Sequence, residues 1–196
     1  MKSKIMFKYL TIKNFLTEKE CSEILEYSLK NLKLYDARVG MNLKINKELR
    51  KSSISFTDYN ERFPYIEKKL IEQLSEVIKV KGYQINLENK KYQFTKYDKG
   101  QFYGWHTDST TNPEFINRYC SIVIQLSNQY EGGDLEMIDT NESGEKTIIF
   151  EKGIGNLFVF LSKIPHRVTE VTEGTRYSLV GWFELKPAEN FKKTIL

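Results

Sequence analysis

The sequence is poor in proline and has no long hydrophobic run. Four prolines among 196 residues cannot build a proline-rich linker, and no repeat or low-complexity segment divides the chain, so we expect a single domain over residues 1–196. No stretch approaches the roughly 20 consecutive apolar residues of a membrane span, so we expect no membrane partner. Hydrophobic residues still make up 40% of the chain, too many for a disordered protein.

Cysteine is also scarce, and its placement argues against a disulfide framework or a metal site. Cys21 and Cys120 lie far apart and show none of the short spacings of metal or redox motifs. We expect two buried thiols in a reducing compartment. The N-terminal segment starts basic, but Lys8 and Lys13 interrupt its apolar part and no small-residue cleavage site follows. A cytoplasmic location is therefore expected.

Charge of one sign is not concentrated anywhere along the chain. Lys and Arg number 30 against 26 Asp and Glu, which gives a formal net charge of +4, and the densest basic runs are pairs. Nucleic-acid-binding proteins concentrate their basic residues on one element or arm. We therefore expect no nucleic-acid partner.

Two segments in the first part of the chain have the apolar periodicity of helices. Thr17 and Glu20 form a capping box that starts the first helix. Its apolar face comprises Ile24, Leu25, Leu29 and Leu32. The second helix is predicted from about Phe63 to Val80, with an apolar face of Ile66, Leu70, Ile71, Leu74 and Ile78. This helical part is expected to extend from about residue 15 to 82.

The rest of the chain alternates between polar and apolar residues, as strands do. The predicted strands are Lys91–Tyr97, Tyr119–Leu126, Asp134–Ile138, Lys146–Phe150, Leu157–Leu161 and Tyr177–Leu185. The paired glycines after Glu131 are expected to form a hairpin turn. Helices followed by many short strands predict an α+β domain whose β part, from about residue 90 to 185, is a sandwich or small barrel.

The sequence has only two histidines, His106 and His166, and both lie in the β part. Asp108 follows His106 by two residues, and residues i and i+2 of a strand point to the same face. Two histidines and one carboxylate can form the set that binds non-haem Fe(II) and leaves coordination positions open. The alternative for either histidine is an ordinary hydrogen-bonded residue.

Arg176 directly precedes the predicted strand Tyr177–Leu185, in which alternate residues face opposite ways. If Arg176 faces the barrel interior, residues 178, 180 and 182 face it too, while residues 177, 179 and 183 pack against the helices. An inward guanidinium is costly without a partner, and Glu184, the only acid on this face, is out of its reach. A bound carboxylate is a natural partner. The alternative is an acid from another strand.

Four segments of the β part together form a distinctive set of motifs. They are Tyr97-Asp-Lys-Gly-Gln-Phe-Tyr-Gly-Trp-His106-Thr-Asp108, Glu131-Gly-Gly-Asp-Leu135, His166-Arg-Val168 and Gly174-Thr-Arg-Tyr-Ser178. This set resembles the Fe(II)/2-oxoglutarate-dependent dioxygenases, in the prolyl 4-hydroxylase-like group that includes the bacterial PKHD-type hydroxylases. The resemblance covers roughly residues 90 to 185. It implies a double-stranded β-helix core, the jelly-roll or cupin-like fold, with the N-terminal helices as its support.

The resemblance also implies the cofactor and the cosubstrates. Fe(II) would be held by His106, Asp108 and His166, with 2-oxoglutarate and O2 as cosubstrates and ascorbate as a candidate reductant. Arg176 would hold the distal carboxylate of 2-oxoglutarate, and Tyr97 would donate a hydrogen bond to the same carboxylate.

Two further residues are expected to line the cofactor pocket. Ser178 fits an Arg-x-Ser pattern of related oxygenases. Gln125 stands where the oxygen-sensing branch has a tyrosine, and it shares a strand face with Ser121, Val123 and Ser127.

The presence of Asp108 favours hydroxylation, because related halogenases lack this carboxylate so that halide can bind. The implied reaction hydroxylates an unactivated C–H bond and releases succinate and CO2. The favoured substrate is peptidyl proline or another amino-acid-type group, on a peptide, a protein or a small molecule. Candidate substrate-binding residues are Tyr103, Trp105, Arg50 and Trp182. The polar segment Ser109–Asn117 is expected to be a mobile loop over the site.

The sequence leaves two other functions open. Nucleic-acid demethylases of the same chemistry carry a second arginine six residues after the first, but Trp182 occupies that position here. A non-enzymatic jelly-roll binding protein would need neither the metal ligands nor Arg176.

Overall fold

The computed structural model describes residues 7–39, 44–74, 78, 83–86, 91–113 and 115–187. Within these residues the chain forms two helices, α1 (Glu18–Asn31) and α2 (Tyr65–Leu74). It also forms fourteen strands, which are β1 (Tyr9–Ile12), β2 (Tyr35–Asp36), β3 (Arg50–Lys51), β4 (Ser53–Asp58), β5 (Tyr83–Asn86), β6 (Lys91–Asp98), β7 (Phe102–His106), β8 (Cys120–Gln125), β9 (Tyr130–Gly132), β10 (Leu135–Asn141), β11 (Gly144–Ile149), β12 (Leu157–Leu161), β13 (His166–Val168) and β14 (Val171–Pro187).

The strands form two antiparallel sheets. The major sheet has the order β1-β12-β8-β14-β6-β4-β2, and β14 also pairs with β5 and β9. The minor sheet has the order β11-β10-β13-β7-β3. With 17 residues and four partner strands, β14 is the element that holds the major sheet together.

Apolar side chains cover both faces of the major sheet. On one face, residues of α1 and α2 such as Ile24 and Leu70 pack against Leu179 and Phe183 of β14. On the other face, a second cluster lies between the two sheets, with Met137 of the minor sheet among its members. This layering of helices, sheet and sheet confirms the predicted α+β class with a jelly-roll core.

The capping box at the start of α1 is confirmed, but the predicted apolar faces of both helices are too wide. Thr17 Oγ1 accepts a hydrogen bond from the Glu20 amide, and Glu20 Oε2 accepts one from the Thr17 amide. Leu29 is 50% exposed and Ile71 is 45% exposed. Each lies five residues, or about 140° around the helix, after a fully buried isoleucine, so each points away from the core.

The prediction of a helical part over residues 15–82 is incomplete, because β2, β3 and β4 also lie there and β4 pairs with β6 over its whole length. β2 and β3 have two residues each, so they are too short to show an alternating pattern in the sequence. For the second helix, residues 75–77 and 79–80 lie outside the described residues, while Ile78 is buried as predicted. The predicted end of the helical part, at about residue 82, also lies outside them.

The glycine pair forms a turn with positive φ angles, 63° at Gly132 and 60° at Gly133, but this turn is not the predicted hairpin. β9 pairs with β14 in the major sheet, whereas β10 pairs with β11 and β13 in the minor sheet. The turn therefore carries the chain from one sheet to the other. A Cβ at position 132 would overlap the carbonyl oxygen of Glu170, so the close backbone approach requires glycine there.

Both cysteines are buried, as expected. No helix in the described part of the chain is long and apolar enough to cross a bilayer.

Candidate active site

Three side chains converge where β7 meets β13. His106 ends β7, His166 begins β13, and the two residues face each other in the register of these strands. Nε2 of His106 lies 3.6 Å from Asp108 Oδ1, and Nε2 of His166 lies 3.3 Å from Asp108 Oδ2. One ligand atom from each residue lies within 4.8 Å of the other two, so the three can hold one metal ion.

Backbone carbonyls fix the orientation of both imidazoles. Nδ1 of His106 lies 2.8 Å from the carbonyl oxygen of Gly104, and Nδ1 of His166 lies 2.9 Å from that of Ile164. A carbonyl oxygen only accepts hydrogen bonds, so each Nδ1 carries the proton and donates it. The Nε2 lone pairs therefore point toward the space between the three side chains, which is the arrangement that metal-binding histidines use.

The Asp108 carboxylate is ionised and held by a chain of hydroxyl groups. The Ser121 hydroxyl donates to Asp108 Oδ2 over 2.6 Å, and the Ser162 hydroxyl lies 2.9 Å from that of Ser121. Burial alone would raise the pKa of Asp108, but the positive charge that His166 and His106 carry when protonated brings it well below its ordinary value. Burial, reinforced by the neighbouring His166, lowers the pKa of His106. Carboxylate and neutral imidazole are the forms that bind metal.

A β-bulge in β7 brings Tyr103 to the same face as His106. His106 pairs with His166 and Tyr103 pairs with Val168, so the interval is three residues on β7 and two on β13. The Tyr103 ring stacks on the His106 ring at 3.5 Å with an interplanar angle of 12°. Trp105 is directed elsewhere: it is 37% exposed and packs under the guanidinium of Arg167. The structure therefore does not bring Trp105 to the site.

A cavity of about 840 Å³ opens beside the three ligands, between the two sheets. Most of the predicted site residues line it, together with apolar residues of both sheets. The predicted residues among its lining are His106, Asp108, His166, Tyr97, Arg176, Ser178, Tyr103, Arg50 and Trp182. Thr110 and Phe115 of the predicted loop also line it. The mobility of that loop stays a prediction.

Gln125 is not among the residues that line the cavity. Its side-chain nitrogen donates to the carbonyl oxygens of Ser127 and Tyr177, at 2.8 and 3.3 Å. Gln125 shares the inward strand face with Val123, as its position predicts, but these backbone contacts hold its amide beyond the cavity. The structure therefore does not place Gln125 beside the metal ligands, where the sequence predicted it to line the cofactor pocket.

Arg176 is a buried guanidinium without an acidic partner among the described residues. It is 1% exposed, and it lies opposite Tyr97 in the register of β14 and β6. Its Nη1 donates to Ser178 Oγ over 3.2 Å, whereas Nε and Nη2 have no hydrogen-bond partner in the described part of the chain. The predicted inward face of β14 is thus confirmed. These orphaned donors fit a ligand carboxylate.

Arg50 and Trp182 lie on opposite walls of the cavity. The Arg50 guanidinium carbon lies 4.3 Å from the centre of the Tyr103 ring, and its Nε donates to Ser52 Oγ over 2.8 Å. The Trp182 ring lies on β14, and the Arg118 guanidinium carbon is 4.0 Å from its centre. The position of Trp182 in the cavity follows from strand alternation, since it lies six residues after Arg176 on the same face.

Ser121 and Ser162 were not predicted as supports of Asp108, and Arg118 was not predicted as a cavity residue. The inward direction of Ser121 could have been predicted from the sequence, because Ser121 shares the inward face of β8 with Val123. No sequence pattern indicates the role of Ser162, because this residue is in the turn after β12 and its approach to Asp108 depends on the tertiary fold.

The residues present fit the cofactor and cosubstrate that the resemblance implies. Two imidazoles and one carboxylate are the donor set preferred by non-haem Fe(II). The orphaned guanidinium of Arg176 in the same cavity suits the distal carboxylate of 2-oxoglutarate.

Comparison with known proteins agrees with this chemistry. Residues 92–184 match the 2OG-Fe(II) oxygenase superfamily. A PKHD-type hydroxylase of Prochlorococcus marinus is 31% identical over 169 residues, which cover 83% of this chain and 67% of the relative.

Solved structures share the fold. A prolyl-4-hydroxylase of Pseudomonas putida superimposes with a TM-score of 0.62 at 22% identity, covering 90% of this chain and 92% of that one. A prolyl hydroxylase from Trichoplax adhaerens, in complex with a hypoxia-inducible-factor peptide, gives a TM-score of 0.71 at 20% identity over 96% and 87% of the two chains. The chain therefore belongs to the 2OG-Fe(II) oxygenases, in the group of the PKHD-type hydroxylases, and is a 2-oxoglutarate-dependent dioxygenase with hydroxylase chemistry.

Proposed function

We propose that this enzyme hydroxylates an unactivated C–H bond of a peptide or protein, with proline as the favoured residue. One oxygen atom of O2 would enter the substrate. The other atom would enter succinate, which forms together with CO2 when 2-oxoglutarate is decarboxylated. The observation that carries this proposal is that the His-Asp-His set and an orphaned buried guanidinium share one cavity. A binding protein of the same fold would need neither.

Each site residue has a proposed part in this reaction. His106, Asp108 and His166 would hold Fe(II), which when bound supplies the activation of O2. Arg176 would bind the distal carboxylate of 2-oxoglutarate, with Tyr97 as a second donor. Ser178 accepts a hydrogen bond from Arg176, so it would keep the guanidinium fork in place. Apolar residues that line the cavity would keep water away from the reacting groups.

The size of the cavity supports an amino-acid-type substrate beside the cosubstrate. Its volume of about 840 Å³ lies at the upper end of the range for small-molecule sites, so it has room for 2-oxoglutarate and a substrate side chain. The peptide bound to the Trichoplax adhaerens enzyme and the name of the Pseudomonas putida enzyme favour a prolyl residue. Ascorbate as a reductant and a cytoplasmic location stay predictions from the sequence.

Labelled oxygen tests the proposal with a mixture of peptides, so the substrate need not be identified first. The protein is incubated with Fe(II), 2-oxoglutarate, ¹⁸O2 and peptides from a digested cell extract, and the products are analysed by mass spectrometry. We expect one labelled oxygen in a peptide, located on proline, and one in succinate. The His106→Ala variant, checked for folding by thermal unfolding, is the matched control. Failure of the wild type to exceed this variant would contradict the proposed hydroxylase.

A further inference from the structure

The cavity contains more positive charge than the proposed cofactors balance. The buried arginines that line it are Arg50 and Arg176, and the carboxylates among its described lining residues are Asp36 and Asp108. The charges of Fe(II) and Arg176 are balanced by those of Asp108 and of 2-oxoglutarate, which carries two negative charges. Asp36 lies 3.3 Å from the ammonium group of Lys47, so it is already paired.

Arg50 is the most enclosed of the arginines not assigned to the cosubstrate. It is 6% exposed, and no carboxylate of the described residues lies within ion-pair distance of it. Its neighbours Ser52 and Tyr103 are neutral. A buried guanidinium with only neutral neighbours is costly unless a ligand supplies the counter-charge.

The position of Arg50 places such a ligand close to the metal ligands. β3 pairs with β7 so that Arg50 lies directly opposite Tyr103. The Arg50 guanidinium carbon is 4.3 Å from the Tyr103 ring centre, and this ring is 3.5 Å from the His106 ring. Arg50 is therefore separated from an expected iron ligand by a single aromatic ring.

The contacts of Arg50 also prepare it to bind an anion. A guanidinium has five N–H donors, and the hydrogen bond to Ser52 leaves donors over for a ligand. Stacking on Tyr103 and the bond to Ser52 fix the plane of the fork before the ligand arrives. A planar, fixed fork is suited to a carboxylate, which it can bind through two parallel hydrogen bonds.

We propose that the substrate carries a carboxylate close to the C–H bond that is hydroxylated, and that Arg50 binds this carboxylate. The inference rests on the proposed function, because it assigns a substrate group to the same cavity. The carboxylate has two sources: an Asp, Glu or C-terminal group of a peptide, or the α-carboxylate of a free amino acid.

The test compares carboxylates with their amides. A peptide digest and a mixture of free amino acids are each used unmodified and after conversion of their carboxylates to carboxamides. Wild-type protein, Arg50→Met, Arg50→Lys and the exposed control Arg62→Met are incubated with each preparation, Fe(II), 2-oxoglutarate and ¹⁸O2. The readout is the amount of ¹⁸O-labelled product, and the visible absorption band of the anaerobic Fe(II)·2-oxoglutarate complex is recorded for each protein.

The expected result is at least about tenfold more product from the carboxylates than from the amides in the wild type. This ratio falls to near one in Arg50→Met and is retained in Arg62→Met. It is partly retained in Arg50→Lys, which keeps the positive charge but not the planar fork. A merely structural role of Arg50 does not explain this pattern. The preparation that gives product, either the peptide digest or the free amino acids, identifies the source of the carboxylate.

Two results would overturn the proposal while leaving the proposed hydroxylase intact: equal product from amides in the wild type, or an unchanged ratio in Arg50→Met. A wild type that shows the absorption band but gives no product from any preparation would overturn the amino-acid-type substrate and this proposal together. Absence of both band and product would instead overturn the proposed cofactor site.

Discussion

The hydroxyl group of Ser121 donates a hydrogen bond of 2.6 Å to Oδ2 of Asp108. Ser121 is fully buried on β8, and its own oxygen accepts a hydrogen bond from the Ser162 hydroxyl over 2.9 Å. The backbone of Ser162 takes part as well, because its carbonyl oxygen accepts from the Asp108 amide. The carboxylate proposed to bind iron is thus fixed by β8 and by the turn that follows β12.

Removing the hydrogen bond from Ser121 should weaken metal binding. In Ser121→Ala the Asp108 carboxylate loses a donor, and the loss of such a support to a metal ligand typically weakens metal binding by about tenfold or more. Anaerobic titration with Co(II), followed by its visible absorption, measures the affinity. The exposed Ser143→Ala variant is the control and should bind like the wild type. Equal affinities of Ser121→Ala and Ser143→Ala would show that Ser121 does not position Asp108.

Two glycines with the same backbone φ angle should tolerate alanine very differently. Gly100 and Gly155 both have φ of 77°, so alanine at either position is strained. A Cβ at Gly100 would meet open space, whereas one at Gly155 would overlap the carbonyl oxygen of Leu16, just before α1. We expect Gly155→Ala to lower the free energy of unfolding by roughly 2 kcal/mol more than Gly100→Ala, because the backbone must shift. Chemical denaturation of both variants measures the difference, and equal losses would contradict the close approach.

The two cysteines should be inert in the folded protein. Burial raises the pKa of the Cys21 thiol to about 12, with a further contribution from Glu20, and burial alone raises the pKa of Cys120 to about 12. Because only the thiolate reacts, each thiol should react with a disulfide reagent at pH 8 roughly a thousandfold more slowly than a free cysteine. We expect two reactive thiols only after denaturation. A rapidly reacting thiol in the native protein would show that one cysteine is accessible.

Much of the site could be predicted because strand alternation and residue scarcity constrain it. With only two histidines in the chain, a metal site built on two imidazoles must use His106 and His166. The inward face of β14 followed from its two-residue period, which places Arg176, Ser178 and Trp182 in one cavity. Both inferences use local sequence alone, and the structure brings these residues together.

Other features depend on tertiary contacts that no local pattern records. The bulge in β7 brings Tyr103 to the face of His106, whereas ordinary alternation already turns Trp105, the residue before His106, outward. The burial of Arg50 depends on β3, a two-residue strand too short to show a period. The amide of Gln125 is held by backbone oxygens, one of them 52 residues away in the sequence.

The cofactor site is tested most directly by anaerobic titration of the protein with Fe(II) and 2-oxoglutarate, followed by the visible charge-transfer band of their chelate. We predict a saturable band in the wild type and in Arg62→Met, and no band in folded His106→Ala. Arg176→Met should need roughly 100-fold more 2-oxoglutarate, because about 3 kcal/mol of charge-assisted hydrogen bonding is lost. A folded wild type without the band, or an Arg176→Met variant that titrates like Arg62→Met, would contradict the assignment of these residues to iron and 2-oxoglutarate.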